Sequence, residues 1–339
     1  MTTGSPLRSS KPLVTIISAY YRRAHAVAPT LESIRDQSYD NFNAIIWDDN
    51  SPDETWRELD RVAREIGDPR FTVYQHSENL GLTRGFNEAI AKIDSEYIAI
   101  VGSGDICHPD RILKQVRALE GDPEAAFCAT GSTTTDPIQG TTFFDSSFSS
   151  TIITRQDIET TCPFTHGSVM YRSDRLKEIG AFEPTFKWCA DWDVFFRLLK
   201  KSHAIFIPEV LYMRTAQLDG VSFHPRKAFE QIEFKHLALE LSRCSEEQRQ
   251  TILANVQSDG IPEALPARSG AIARDLARRN VKLYLMKRRR DAIEMSRMAV
   301  ARGVGYPLKY RAYLRVAALL SHIGFDPNLL IKVARSLPR

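Results

Sequence analysis

Ile46-Trp47-Asp48-Asp49-Asn50-Ser51 is an apolar run that ends in a polar turn, and it decides the fold together with two segments of the same design. The β-branched run Leu13-Val14-Thr15-Ile16-Ile17 precedes it. Tyr97 to Val101 follows it and ends in Gly102-Ser103-Gly104-Asp105. Apolar runs of this length, bounded by turn residues, predict buried strands.

Helical spacing separates the predicted strands. Apolar residues recur three or four positions apart in three stretches, which are Val27, Leu31 and Ile34, then Trp56, Leu59, Val62 and Ile66, then Phe86, Ala89, Ile90 and Ile93. Ser51 and Glu54 have the spacing of a capping box before the second helix. The alternation predicts an α/β fold with a doubly wound, mainly parallel sheet. Ligands of such sheets bind beyond the carboxyl ends of the strands, where Asp49 and Asp105 stand.

The composition is that of an ordinary globular protein. The chain has 339 residues, of which 43% are hydrophobic and 26% charged, and this length allows one large domain with an appendage. The five cysteines form no CxxC pair and no zinc pattern, which is typical of a reducing cytosol. The sequence has no signal-peptide run and no stretch of about 20 apolar residues. We therefore predict a cytoplasmic protein, soluble or peripheral on the inner membrane.

The C-terminal part of the chain is basic and reads as helical. Residues 281–339 carry a formal charge of +10, whereas the rest carries −7. We place a domain boundary near residue 225, with a basic helical region over 226–339. Its apolar stripe consists of Tyr310, Tyr313, Leu314, Ala317 and Leu320, with Arg311 and Arg315 off that face. Such helices either lie on an anionic membrane surface or pack as an ordinary hairpin. No nucleic-acid motif accompanies the charge.

Four motifs in order resemble the family-two inverting glycosyltransferases of bacterial polysaccharide synthesis, over about residues 12 to 225. They are Val14 to Arg22, Ile46 to Ser51, Asn79-Leu80-Gly81 with Arg84 and Asn87, and Ala190-Asp191-Trp192-Asp193 with Arg197. The resemblance implies a GT-A-like catalytic domain over 1–225. It also implies transfer of a sugar from a nucleoside-diphosphate sugar to a glycan or lipid-linked glycan acceptor, as in a hexosyltransferase of the cell envelope.

The resemblance also implies the donor-binding residues. They are Ala19, Tyr20, Asp49, Arg84, Ser103, Gly104, Asp105 and His166. A carboxylate at Asp49 suits a nucleobase N–H or a ribose hydroxyl, because charge-assisted hydrogen bonds are strong. The alternative is that Asp49 or Asp48 caps the following helix.

The metal motif of the family usually reads Asp-x-Asp-Asp, whereas this chain has Gly102-Ser103-Gly104-Asp105. Asp105 is therefore the candidate metal ligand of this segment. Either it holds Mg²⁺ or Mn²⁺ together with the donor phosphates and water, or the enzyme works without a metal. In the second case cations or backbone N–H groups balance the leaving diphosphate.

The resemblance implies that Asp191, rather than Asp193, is the general base. Inversion by direct displacement needs one carboxylate to take the proton of the acceptor hydroxyl. Asp193 lies about 200° round a helix from Asp191, so both cannot face the site, and we expect Asp193 to pair with Arg197. A dinucleotide-dependent oxidoreductase is disfavoured, because Ser18-Ala19-Tyr20-Tyr21 contains no glycine. The remaining alternative is a degenerate transferase-like fold that binds a glycan or a partner.

Overall fold

The computed structural model describes residues 11–135, 140, 142–144, 150–159, 162–216, 224–265, 269–285 and 288–322. The chain divides into two compact units, Met1–Ala216 and Gln217–Arg339. The first unit contains the sheet and the second is helical.

The first unit alternates strands and helices as its apolar runs predict. Its strands are β1 (Val14–Tyr20), β2 (Phe42–Asp48), β3 (Phe71–Gln75), β4 (Tyr97–Ile100), β5 (Ile106–Cys107), β6 (Ala125–Thr135), β7 (Thr142–Phe144), β8 (Ile152–Ile153), β9 (Met170–Arg172) and β10 (His203–Thr215). Its helices are α1 (Val27–Arg35), α2 (Thr55–Ile66), α3 (Leu82–Ala91), α4 (Arg111–Gly121), α5 (Arg155–Ile158), α6 (Ser173–Glu178) and α7 (Ala190–Leu198), with single 3₁₀ turns at Ala24–Ala26 and His166–Ser168.

These strands form one mixed sheet within the described residues. Eight of them follow the order β3-β2-β1-β4-β9-β6-β10-β5, while β7 pairs with β6 and β8 with β10. Strand β1 is parallel to β2 and β4, and β10 is parallel to β6. Strand β9 runs against both neighbours, pairing Met170 with Ala99. The turn before β9 therefore lies at the edge where β4 ends, and the amide of Ile100 donates to the carbonyl of Val169 at 3.0 Å.

Apolar side chains of the strands and of the facing helices make the core of this unit. Ile17, Ile46 and Leu59 are fully buried, and each such side chain stabilises the fold by about 1.5–3 kcal/mol relative to an exposed one. Trp47 packs so closely on α3 that a Cβ at Gly85 would lie 2.9 Å from its indole nitrogen. A helix carrying Gly85 can therefore lie directly against β2.

The capping box predicted from Ser51 and Glu54 is wrong. Helix α2 begins at Thr55, and Glu54 makes no side-chain cap. The hydroxyl of Ser51 instead donates to Asp48, whose other oxygen accepts the Ser51 amide at 2.9 Å. The carboxylate of Asp48, three residues before Ser51, accepts both bonds because it lies within reach of the amide and the hydroxyl of Ser51.

The second unit consists of α8 (Pro225–Leu241), α9 (Glu246–Asp259), α10 (Ile261–Ala264), α11 (Ser269–Leu285), α12 (Arg289–Ala301) and α13 (Leu308–His322). Phe229, Leu276 and Met295 are fully buried and join α8, α11 and α12 in one core cluster. The predicted helical C-terminal region is confirmed. No helix in the described part of the chain is long and apolar enough to cross a membrane.

The apolar stripe predicted for the last helix is only partly correct. Helix α13 buries Tyr310 and Ala317, but Tyr313 from the same stripe is 39% exposed. The helix also exposes three apolar side chains that the prediction omitted, Leu308, Val316 and Leu319, which are 81%, 54% and 63% exposed. Packing against α11 decides which apolar face is covered, and spacing alone cannot choose between two such faces.

Candidate active site

The loop after β4 carries Asp105, and a tyrosine from β10 holds it. The hydroxyl of Tyr212 donates to Asp105 Oδ2 at 2.6 Å and accepts from the amide of Gly102 at 2.8 Å. Tyr212 is fully buried, and this burial together with the Asp105 carboxylate raises the pKa of its hydroxyl. The hydroxyl therefore stays protonated and acts as a donor to Asp105.

A buried arginine lies behind this tyrosine. The guanidinium of Arg111 sits 4.9 Å from the ring centroid of Tyr212 and donates to the carbonyls of Ile100 and Val169 at 2.9 and 3.3 Å. These carbonyls belong to the ends of the two segments that flank Asp105. Arg111 is fully buried, so it places a positive charge beneath the loop and fixes both segments.

Both carboxylates at the end of β2 accept hydrogen bonds from other residues of the chain. Asp48 is fully buried and accepts from Ser51 and from Gln75 Nε2, the latter at 2.9 Å. Asp49 accepts the amides of Leu80 and Gly81, both at 2.9 Å, and lies 2.8 Å from His76 Nδ1. A carboxylate has about four acceptor positions, so Asp49 retains one for a ligand. Its role as a donor ligand stays a prediction.

The other predicted donor residues differ in accessibility. Ala19 is half-buried at the end of β1, Arg84 is exposed in the first turn of α3, and Ser103 and Gly104 are half-buried beside Asp105. The amide of Gly104 donates to Thr30 Oγ1 at 3.1 Å.

Tyr20, in contrast, is fully buried. Burial raises the pKa of its hydroxyl. The role of Tyr20 in donor binding stays a prediction, and its buried side chain leaves the backbone at the end of β1 as the part that would contact the donor.

The start of α7 carries two carboxylates that differ in burial and in hydrogen bonding. Asp193 is 1% exposed and pairs with Arg197 at 2.8 Å, as its spacing predicts. Arg197 also donates to the carbonyls of Ile179 and Ala181. Asp191 is half-buried, and within the described residues its carboxylate makes no hydrogen bond or ion pair. Asp191 is therefore the carboxylate of this helix that is available for chemistry.

His166 lies beside Asp191 in an aromatic cluster. Its ring is 5.8 Å from Phe86, 5.5 Å from Phe182 and 6.2 Å from Phe195. Burial lowers the pKa of His166, and the Asp191 carboxylate opposes that shift. Its Nε2 is buried and has no hydrogen-bond partner in the part of the chain that the structure describes. The imidazole is thus held neutral next to the candidate base.

Three contacts bring these neighbourhoods together. Gly167 lies so close to Tyr212 that an added Cβ would stand 2.1 Å from the hydroxyl, which joins the His166 turn to the Asp105 loop. Phe86 packs on Trp47 as well as on His166, with centroids 5.6 and 5.8 Å apart. The loops carrying Asp49, Asp105 and His166, and with His166 the start of α7, therefore share one edge of the sheet.

The motif residue Asn87 positions the segment that leads into α7. Its side chain donates to the carbonyl of Phe182 at 2.7 Å and accepts the Phe182 amide at 2.9 Å. Thr83 donates to the carbonyl of Phe186 at 2.9 Å. Helix α3 thus fixes the chain just before Asp191.

Asp105 fits a metal only as a single protein ligand. No group of three or more His, Cys, Asp or Glu side chains that could hold an ion occurs among the residues described. A protein cage is therefore excluded for that part of the chain, but Mg²⁺ and Mn²⁺ in phosphate sites commonly use one or two carboxylates with phosphate oxygens and water. Asp105 suits that arrangement.

Residues 15–180 match the family model described as "Glycosyl transferase family 2". This stretch is just under half of the chain, and through it the chain is similar to glycosyl transferase family 2. It is 28% identical over 176 residues to a putative glycosyltransferase of Bacillus subtilis, EpsE, covering 51% of this chain and 61% of that protein. It is 32% identical over 121 residues to TuaG of the same species, a putative teichuronic acid biosynthesis glycosyltransferase, covering 36% and 47%. The chain thus spans less than two thirds of these relatives.

Two solved structures share the fold. S. aureus TarS 1-349 in complex with UDP has a TM-score of 0.53 at 17% identity, over 92% of each chain. The mannosyltransferase PcManGT of Pyrobaculum calidifontis, in complex with GDP-Man and Mn²⁺, has a TM-score of 0.54 at 19% identity, over 94% of this chain and 89% of that one. The predicted GT-A-like α/β fold, with its helical C-terminal region, is confirmed.

Sequence reasoning missed three residues of this site. Tyr212 has no local signal, because its partners lie far away in the chain. Arg111 bonds to the nearby Cys107 and Gln115, but its bonds to the backbone carbonyls of Ile100 and Val169 cannot be predicted from spacing. His76 directly follows β3, so the rule that found Asp49 at a strand end could also have found His76.

Proposed function

We propose that this glycosyltransferase is inverting and moves a sugar from a nucleoside-diphosphate sugar to a glycan or lipid-linked glycan of a surface polysaccharide. The donor class is supported by UDP in TarS and GDP-Man in PcManGT, and the polysaccharide setting by the name of TuaG. The observation that carries the mechanism is the half-buried carboxylate of Asp191, which has no hydrogen-bond or ion-pair partner among the described residues, two residues from Asp193, which pairs with Arg197.

In the proposed mechanism Asp191 is the general base. The acceptor hydroxyl oxygen attacks the anomeric carbon, its proton goes to Asp191, and the bond from that carbon to the diphosphate oxygen breaks. A carboxylate without an internal partner is free to accept that proton. The neutral imidazole of His166 does not compete with the acceptor by forming an ion pair with Asp191.

Asp105 acts on the leaving diphosphate. We propose that it holds a divalent cation together with the phosphates and water. When bound, the cation would neutralise the charge that develops on the leaving group. Gly104 and Ser103 lie beside Asp105 in the same loop, and we assign them to the same end of the donor.

Asp49, Ala19 and Arg84 form the proposed nucleoside end. Asp49 is fixed by three internal donors, so its remaining acceptor position points in a defined direction for a nucleobase N–H or a ribose hydroxyl. Arg84 is an exposed cation on the helix that follows the Asp49 loop. We assign residues 1–225 to this catalytic function.

The region 226–339 is proposed to bind an anionic membrane surface on the cytoplasmic side of the inner membrane. Helix α13 exposes Leu308, Val316 and Leu319. Lys309 and Arg315 are exposed on the same helix. An exposed apolar stripe with flanking cations suits anionic lipid headgroups, and a lipid-linked acceptor would be presented there.

Donor turnover tests the proposal directly. The full chain is incubated with a panel of UDP- and GDP-sugars with and without Mn²⁺, and release of the nucleoside diphosphate is measured. We expect one donor to be turned over, and Asp191→Asn to abolish turnover while nucleoside-diphosphate binding by calorimetry persists. If the chain instead binds a glycan but neither turns over nor binds any nucleotide, the result would support the alternative of a degenerate fold that acts as a binding module.

A further inference from the structure

The hydroxyl of Tyr212 has two partners, and both belong to the loop that replaces the usual metal motif. It donates to Asp105 Oδ2 at 2.6 Å and accepts from the Gly102 amide at 2.8 Å. Tyr212 lies in the middle of β10, where it pairs with Ser132 on β6 and Cys107 on β5. The sheet therefore fixes the backbone from which this hydroxyl extends.

Two glycines make room for this arrangement. A Cβ at Gly102 would stand 2.4 Å from Asp105 Oδ2, and a Cβ at Gly167 would stand 2.1 Å from the Tyr212 hydroxyl. Real Cβ atoms do not approach so closely, so any side chain at either position would displace the bonded pair. The glycine that stands where the family has its first aspartate is thus a steric requirement of the Tyr212–Asp105 bond.

Arg111 strengthens the bond from behind. Its guanidinium faces the ring of Tyr212 at 4.9 Å, and its hydrogen bonds go to the carbonyls of Ile100 and Val169, Cys107 Sγ and Gln115 Oε1. A buried cation over the ring face draws electron density from the phenol and favours donation by its hydroxyl. The acceptor of that donation is Asp105, which brings a negative charge near the buried guanidinium.

We propose that Tyr212 is the positioning residue that holds Asp105 in place for the donor diphosphate and its cation. The inference rests on the proposed function and adds to it how one carboxylate serves where the family usually has three. A lone ligand on a glycine-containing loop needs its side chain fixed from outside the loop. Tyr212 supplies that constraint from β10.

Paired substitutions test the inference. We expect Tyr212→Phe to lower donor turnover about ten- to a hundredfold, which corresponds to one hydrogen bond to a charged group. The loss should fall mainly on kcat, and the Mn²⁺ concentration for half-maximal rate should rise. The Asp105→Asn variant has lost the ionised acceptor. Adding Tyr212→Phe to it should therefore lower donor turnover by less than about threefold. Equal losses in both backgrounds, or unchanged turnover by Tyr212→Phe, would overturn the positioning role.

Tyr39→Phe is the matched control. The buried Tyr39 hydroxyl donates to the carbonyl of Pro12 at 2.5 Å, outside the proposed site. We expect a lower melting temperature and unchanged turnover, so an equal loss of turnover in this variant would reduce the Tyr212 effect to general instability. If Tyr212→Phe does not fold, Gly102→Ala can replace it, because an added Cβ displaces the same carboxylate. The loss of donor turnover caused by Gly102→Ala must then also be smaller in the Asp105→Asn background than in the wild type.

Failure of the proposed function gives a different result. Wild-type protein that turns over no nucleotide sugar contradicts that function. The Tyr212–Asp105 interaction is then measured by thermal unfolding of the two single variants and the double variant, without ligand. Additive losses of stability in that cycle contradict the inference itself, whereas coupling in both stability and turnover supports it.

Discussion

The turn after β2 and the start of α7 each carry two carboxylates, but the chain treats them differently. In the turn, Asp48 and Asp49 both accept hydrogen bonds from the protein. In the helix, Asp193 is paired with Arg197, whereas Asp191 has no such partner among the described residues. The difference separates two kinds of role, because hydrogen bonds within the protein fix a carboxylate in one orientation, as at Asp49, whereas a carboxylate without such bonds can take up a proton from a substrate.

The largest effect is expected for Asp191. Asp191→Asn removes the proposed base, and general-base catalysis contributes typically about a hundred- to ten-thousandfold in rate. Turnover should fall by that factor, with melting temperature and nucleoside-diphosphate binding unchanged. Asp193→Asn is the control within the helix and should lower the melting temperature, because it leaves Arg197 without its carboxylate. Comparable turnover of wild type and Asp191→Asn would contradict the base assignment.

Asp49 tests the other side of the comparison. Asp49→Ala leaves the amides of Leu80 and Gly81 without their acceptor, and each unsatisfied buried donor costs about 1–3 kcal/mol. We expect the free energy of unfolding to fall by at least about 2 kcal/mol in urea titrations. Asp191→Ala serves as the control, since a half-buried carboxylate without partners should change stability little. Equal losses of stability would remove the distinction between the two regions.

The fold could be predicted where its signals are local. Strands β1, β2 and β4 follow from apolar runs, and the Asp193–Arg197 pair follows from a spacing of four residues. The Tyr212–Asp105 bond joins residues 107 positions apart, so the sequence around either residue does not predict it. The false capping box at Ser51 shows the same limit, because two neighbouring acceptors competed and only three-dimensional geometry decided between them.

His166 extends the comparison to pH. Its folded pKa lies below the ordinary value because of burial, so the unfolded chain binds the proton more readily. Stability from this group is fully present above about pH 6.5 and is lost as the pH falls towards the folded pKa, with a slope of at most about 1.4 kcal/mol per pH unit. His166→Gln should flatten the decline in stability between pH 7 and pH 5. An unchanged profile would show that His166 does not contribute.

The smallest effect is expected for α13, whose exposed cations, and not carboxylates, are the groups to be changed. Lys309→Glu with Arg315→Glu should weaken binding to phosphatidylglycerol vesicles by about 1 kcal/mol or more per residue. Flotation with phosphatidylcholine vesicles should show little binding for any variant. Arg57→Glu on α2 with Lys92→Glu at the end of α3 makes the same change in net charge on the first unit. If this control loses as much binding as the α13 variant, net charge rather than the α13 face is responsible.

The buried Arg111 has a consequence for any anion that arrives at the loop above it. An arginine side chain keeps its charge over the whole pH range in which proteins fold. Arg111 therefore brings a positive charge under Gly102–Asp105 that does not depend on a metal, and the carboxylate of Asp105 beside it carries the opposite charge. Any pH dependence of anion affinity at this loop must then originate in the anion or in other titrating groups.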